Sequence, residues 1–258
     1  MTSPHSPSAA DPDTGLDTGS DTGLDARLDA VLARLDAAAE RAGRDPREIL
    51  VLLATKTRTA PEIADAVRAV HARGRRVAVG ENRAQEIAVH DDPALAALEA
   101  ELSVPRHFIG RLQRNKARDV VAFASMVHSV DRTEVIDALA RRAELAGLER
   151  EVLVQVNTSG EDSKGGFAPE ADVLAAAVAQ IRDTGVLRPA GLMTIGAHTS
   201  EEIAVRASLR RLRTLRDELA DPALVELSMG MSADLEIAVE EGATIVRLGS
   251  AVFGPRAV

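Results

Sequence analysis

The chain has 258 residues and a formal charge of -9, with no cysteine, tryptophan or tyrosine and only four phenylalanines. That composition excludes disulfides and thiolate metal sites, removes aromatic stacking platforms and any tyrosine acid or base, and leaves no broad basic face for nucleic acid. No apolar run approaches the length of a membrane span and the N-terminus lacks the basic-then-apolar order of a secretory signal, so a cytoplasmic location is expected.

Residues 1–22 are rich in Ser, Pro, Asp, Thr and Gly, with Asp-Thr-Gly recurring at 13, 17 and 21. Such a stretch buries too little apolar area to offset its ordering entropy, and it is expected to be a disordered acidic tail ahead of a single domain over 23–258. Leu24, Leu28, Val31, Leu32 and Leu35 then fall on one helical face and predict a leading helix. Beyond it, β-rich runs at 49–55, 77–79, 107–109, 126–130, 151–156, 191–195, 225–229 and 244–248 alternate with alanine-rich helical patterns, among them 61–72, 133–146, 169–183 and 200–219. Eight strands separated by helices predict the α/β class and, within it, a closed parallel (β/α)8 barrel of the TIM type behind a leading N-terminal helix.

The chemistry collects after the strand candidates, where such a barrel builds its active site. Lys56 follows the first apolar run and is one of three lysines against 28 arginines. Lysine offers what arginine cannot, an amine that gives up its proton and attacks a carbonyl, so Lys56 is a Schiff-base candidate. At the end of the seventh run, Ser228-Met229-Gly230-Met231-Ser232 leads into a helical pattern at 233–241, and Arg247-Leu248-Gly249-Ser250 closes the eighth. Hydroxyls and free backbone N–H groups at these two loops suit an anion, and phosphate sites in such barrels sit there. An amine and a phosphate grip on one rim fit a phosphorylated aldehyde, pyridoxal 5′-phosphate first among them, with a class I aldolase substrate as the alternative. The six histidines show no metal-ligand spacing, so no metal site is expected. The cations between Arg106 and Arg118 are expected on a solvated helix face.

Several stretches carry a family resemblance: Ala54-Thr55-Lys56-Thr57, Gly80-Glu81-Asn82-Arg83-Ala84-Gln85-Glu86, His107-Phe108-Ile109-Gly110-Arg111-Leu112-Gln113-Arg114-Asn115-Lys116, His128-Ser129-Val130-Asp131-Arg132, Ser163-Lys164-Gly165-Gly166, Gly191-Leu192-Met193, 227–232 and 246–254. In order and spacing they resemble the pyridoxal-phosphate homeostasis proteins, single-domain relatives of the alanine racemase barrel, from about residue 24 to the end. The resemblance implies that Lys56 carries the cofactor as an internal aldimine, that Asn82 lies beside it, that Ser228, Ser232, Gly249 and Ser250 hold the phosphate, and that Arg247 faces the pyridine nitrogen. Arg83, Arg106 and Ser250 depart from the pattern, standing where the family usually has tyrosine, tryptophan and threonine. The function implied is vitamin B6 cofactor homeostasis, with apo forms of pyridoxal-phosphate enzymes as recipients and no membrane or nucleic-acid partner. A monomer with no robust catalysis and no catalytic residue is expected. The alternative is a pyridoxal-phosphate-dependent amino-acid racemase, which would need a second acid such as His198 or Asp131 in place of the tyrosine this chain lacks.

Overall fold

The computed structural model describes residues 21–161, 165–197 and 199–254. Eight parallel strands close into one barrel in sequence order: β1 Leu50–Ala54, β2 Val77–Glu81, β3 Arg106–Phe108, β4 Met126–Val130, β5 Arg150–Gln155, β6 Leu187–Met193, β7 Glu226–Ser228 and β8 Ile245–Leu248. The ring is completed by pairing Leu53 with Leu248 on one side of β1 and Ala54 with Gly80 on the other. Around it lie α1 Asp21–Arg41, α2 Ala60–Ala72, α3 Pro93–Glu101, α4 Ala117–Phe123, α5 Thr133–Ala146, α6 Ala171–Asp183, α7 Glu202–Leu219, α8 Leu235–Glu240 and α9 Ser250–Phe253. The (β/α)8 expectation holds, and α1 is the leading helix, begun two residues inside the stretch read as tail.

Strand side chains alternate between two cores. Val51 and Leu53 of β1 face outward with Ile63 and Val67 of α2, whereas Leu50 and Leu52 face inward with Ala78, Met126, Leu153, Met193 and Ile245. Strands covered on both faces read as continuous apolar runs, which is why the sequence exposed them. Two strands differ from those expected by more than one residue at an end. β2 runs on through Gly80 and Glu81 because the Glu81 carboxylate is buried against partners of its own. β6 starts at Leu187 in spite of Pro189; the pairing with β5 shifts register between Val152 and Leu153, beside the proline that has no N–H to give.

Helix α1 holds the last quarter of the barrel. Leu28, Val31, Leu32 and Leu35 are buried, each apolar side chain contributing roughly 1.5–3 kcal/mol. Arginines of this N-terminal region reach over the C-terminal elements: Arg44 donates to the carbonyls of Val239 and Ala243 at 2.8 Å each, and Arg27 to that of Val252 at 2.8 Å. Arg34 donates to Glu236 at 2.6 Å and to the carbonyl of Ser232 at 2.9 Å, so α1 also fixes the loop between β7 and α8.

Candidate active site at the C-terminal mouth of the barrel

The C-terminal ends of the strands open on a cavity of about 720 Å³. Lys56, Asn82, Ser232, Arg247, Gly249 and Ser250 all line it, brought together from separate strand ends around the ring. Ala54, Met193 and Ile195 supply an apolar wall, and Arg58, Arg83 and Arg111 a cationic rim.

Lys56 stands two residues past the end of β1, half-buried, in a turn whose next residue, Thr57, has φ +63°. The buried Thr55 hydroxyl donates to Glu81 Oε1 at 2.5 Å, which fixes the strand end from which Lys56 departs. Among the described residues Lys56 Nζ, the Asn82 amide and the Ser232 and Ser250 hydroxyls make no hydrogen bond or ion pair with protein, while all four residues face the cavity. Gly249 precedes the one-turn α9, whose start has no side-chain cap.

The loop bearing Asn82 is fitted to β3 at backbone contact. A Cβ on Gly110 would lie 1.7 Å from the Asn82 carbonyl oxygen. Across the mouth, Gly230 turns the chain at φ +91° against the Ala238 methyl, and Asp234 accepts from the Met231 N–H at 2.7 Å. This carboxylate, 7% exposed, shapes the Ser232 loop. Its place three residues after Met231, at a helix start, was the available sequence signal for it.

Arg247 is the buried cation of the site, 5% exposed. Its Nη2 donates to the Thr194 carbonyl at 2.9 Å and its Nη1 to Ser228 Oγ at 2.8 Å. Burial lowers its pKa to about 10, opposed by Asp234, so it remains a cation at neutral pH. Ser228 does not line the cavity. As the last residue of β7 it points into the barrel, where its hydroxyl lies 2.9 Å from His128 Nδ1, and His128 Nε2 lies 2.9 Å from His107 Nδ1. Ser228 Oγ accepts from Arg247 and shares a further hydrogen bond with His128 Nδ1, and a single proton is shared between His128 Nε2 and His107 Nδ1, so one ring donates and the other accepts there. Burial keeps both rings neutral. Burial alone carries His107 down to about 4, and burial with the neighbouring His107 and Arg247 takes His128 well below the ordinary histidine value.

The other candidates lie elsewhere. Lys116 borders a neighbouring recess of about 520 Å³ together with Arg83, Arg111 and Gln113. Asp131 is 6% exposed and engaged by Arg132 and, at 3.4 Å, by Arg111. Ser163, Lys164 and His198 lie outside the described residues. Arg106 corrects one expectation: it belongs to β3 and forks onto Glu99 over the Phe123 ring, because a buried carboxylate demands a partner that a solvated face would not supply. Among the described residues no group of three or more His, Asp or Glu is placed to hold a metal ion, and no helix is long and apolar enough to cross a membrane.

Residues 26–257 match the model of the family described as alanine racemase, N-terminal domain. A pyridoxal phosphate homeostasis protein of Aquifex aeolicus is 42% identical over 88% of this chain and 95% of its own length. A crystal structure of an unknown protein from Bifidobacterium adolescentis is 37% identical, with a TM-score of 0.83 over 92% of this chain and 97% of that one. The structure of PipY from Synechococcus elongatus, solved with PLP bound, is 30% identical, with a TM-score of 0.69 over 90% of this chain and 100% of that one. This chain belongs to the alanine racemase N-terminal domain family, among the pyridoxal phosphate homeostasis proteins.

Proposed function

We propose that this chain binds pyridoxal 5′-phosphate in the cavity at the C-terminal mouth and serves vitamin B6 cofactor homeostasis in the cytoplasm, as a monomer that passes the cofactor to apo forms of pyridoxal-phosphate enzymes. The observation that carries the reading is the convergence of an amine, an amide, two hydroxyls and a buried arginine, the first four without protein partners among the described residues, on one cavity. A volume of about 720 Å³ accommodates a small phosphorylated aromatic aldehyde. The related PipY protein holds this same ligand in its solved structure.

When bound, the cofactor supplies an aldehyde and an electron-withdrawing ring. Lys56, as the free amine, would hold the cofactor through its aldehyde. The Ser232 and Ser250 hydroxyls and the backbone at Gly249 hold the phosphate, and Asn82 sits beside the ring. Ser228 acts from below by holding Arg247 rather than by touching phosphate. Arg247 would stand towards the pyridine nitrogen and, as a permanent donor, would disfavour its protonation, so that the ring would be a weaker electron sink. This favours holding the cofactor over turning amino acids over. Asp131 is tied into ion pairs and does not line the cavity, so it is a poor second acid for racemisation.

The test is a titration of purified apo protein with pyridoxal phosphate, read by the visible spectrum and by incubation with an amino acid in deuterated water. Saturable uptake by the wild type, loss of the bound-state band in Lys56→Ala with phosphate-dependent binding retained, and no exchange of the amino-acid α-proton are expected. Rapid α-proton exchange would establish the racemase reading instead.

A further inference from the structure

Behind the turn that carries Lys56 lies a set of ionisable groups used by none of the roles above. Glu81 Oε1 accepts from Thr55 and faces His90 Nε2 at 3.0 Å; His90 Nδ1 faces Glu99 Oε1 at 2.7 Å; Glu99 Oε2 accepts from Arg106 Nε at 2.7 Å. Glu81, His90 and Glu99 are no more than 3% exposed, and only Arg106 reaches solvent. The ladder joins β1, β2, the 3-10 segment Ala84–Asp91, α3 and β3.

Its hydrogen bonding fixes its charge. A neutral imidazole has one N–H and would turn a lone pair towards one of the two carboxylates, whereas an imidazolium donates to both. Burial works against that charge, yet the hydrogen bonds to Glu81 and Glu99 raise the pKa of His90 above the ordinary histidine value. With His90 and Arg106 cationic the two carboxylates are neutralised; without the His90 proton the ladder keeps a net negative charge in a place closed to water. Glu81 is the exposed flank of that balance, since its Oε2 is buried with no partner among the described residues. The groups facing His90 are Glu81 from β2, Glu99 from α3, Arg106 from β3 and the Phe123 ring from α4 at 5.0 Å, while Asp91 and Asp92 next to it in sequence are exposed. Glu86, on the same segment, feels both Glu81 and Lys56, so the ladder and the amine share one electrostatic neighbourhood.

We propose that His90 is a positioning residue for Lys56: as an imidazolium it clamps Glu81 onto Thr55 and so fixes the strand end that presents the amine, and loss of its proton loosens that presentation. The inference rests on the reading of Lys56 as the cofactor amine. Neither His90 nor Glu99 touches the cavity.

Two variants and two readouts test it. His90→Gln removes the charge at every pH; His90→Lys keeps a cation that donates to both carboxylates and does not titrate near neutrality. Covalent capture of pyridoxal phosphate is followed as the rate of forming a borohydride-stable adduct on Lys56, and each variant is compared with wild type at each pH, so that titration of the amine itself cancels. The rate in His90→Gln should be about tenfold below wild type at pH 6.5, the worth of one hydrogen bond to a charged group, and should converge on wild type as the pH rises. His90→Lys should rescue it. Binding of pyridoxine phosphate, which lacks the aldehyde, should be unchanged in both variants. Independently, NMR of labelled histidine in the apo wild type should show His90 cationic at pH 6.5 and titrating higher, with the titration moved down in Glu99→Gln. A neutral His90 at pH 6.5, or a variant-to-wild-type ratio constant with pH, would overturn the inference; absence of any adduct in the wild type would instead overturn the assignment of Lys56.

Discussion

Lowering the pH from 6.5 towards 4 must put a proton on a histidine pair that the fold holds neutral. His107 titrates at about 4 in the folded protein because burial disfavours its charge, and in the unfolded chain it returns to the ordinary value near 6.5. The folded pKa is depressed, so the unfolded chain takes the proton first: the stability is intact above 6.5 and is lost as the pH falls towards 4. At about 1.4 kcal/mol per pH unit, the whole interval is worth roughly 3 kcal/mol, and His128 acts in the same direction. Glu62, Glu236, Glu240 and Glu241 are held below the ordinary carboxylate value, so their contributions fade only at lower pH. His90, with a raised pKa, contributes fully below 6.5. In the interval from 6.5 to 5 the pair therefore drives the loss, opposed by Glu86, whose carboxyl is pushed up by burial and by Glu81. With no tryptophan or tyrosine in the chain, urea unfolding of apo protein is followed by far-ultraviolet circular dichroism at half-unit pH steps. His107→Gln keeps a hydrogen-bonding amide beside His128 but cannot be protonated. Its stability should fall less steeply than that of wild type, by about 1.4 kcal/mol per pH unit. Parallel curves for the two proteins would refute the neutral histidine pair below Arg247.

On the alkaline side the sign reverses: the His90 contribution is lost as the pH rises through its raised pKa, so Glu99→Gln should flatten the stability curve above pH 6.5. Gly110→Ala forces the Asn82 segment away from β3, since the added methyl would fall 1.7 Å from a backbone oxygen; thermal melts should show a loss of several kcal/mol, and equilibrium dialysis a loss of pyridoxal phosphate binding. Arg44→Ala leaves the Val239 and Ala243 carbonyls without their cation and should cost about 1–3 kcal/mol in urea unfolding. Ser228→Ala removes the hydroxyl between Arg247 and His128; calorimetry should give weaker pyridoxal phosphate binding with the adduct site on Lys56 unchanged.

The barrel was legible because its strands are buried on both faces and read as short apolar runs between amphipathic helices. Most of the residues that line the cavity could be picked out because they follow buried strands, at the end of the barrel where its loops gather. Ser228 misled by one position. It is the final residue of its strand, not the first of the loop, and the period-two alternation turns it into the barrel. The polar chain beneath Arg247 was hidden because it joins residues 21 and 100 positions apart, which meet only once the register of β3, β4 and β7 is set. The His90 ladder was hidden likewise: His90 sits in a segment without regular periodicity, and Arg106 reads from sequence as one more surface cation until the buried Glu99 beside it is known.

The proposed function depends above all on which amine takes the cofactor. Protein saturated with pyridoxal phosphate, reduced with borohydride, digested and mapped by mass spectrometry should carry the reduced adduct on the peptide containing Lys56. Modification confined to Lys116 or Lys164, or none in saturated protein, would contradict it.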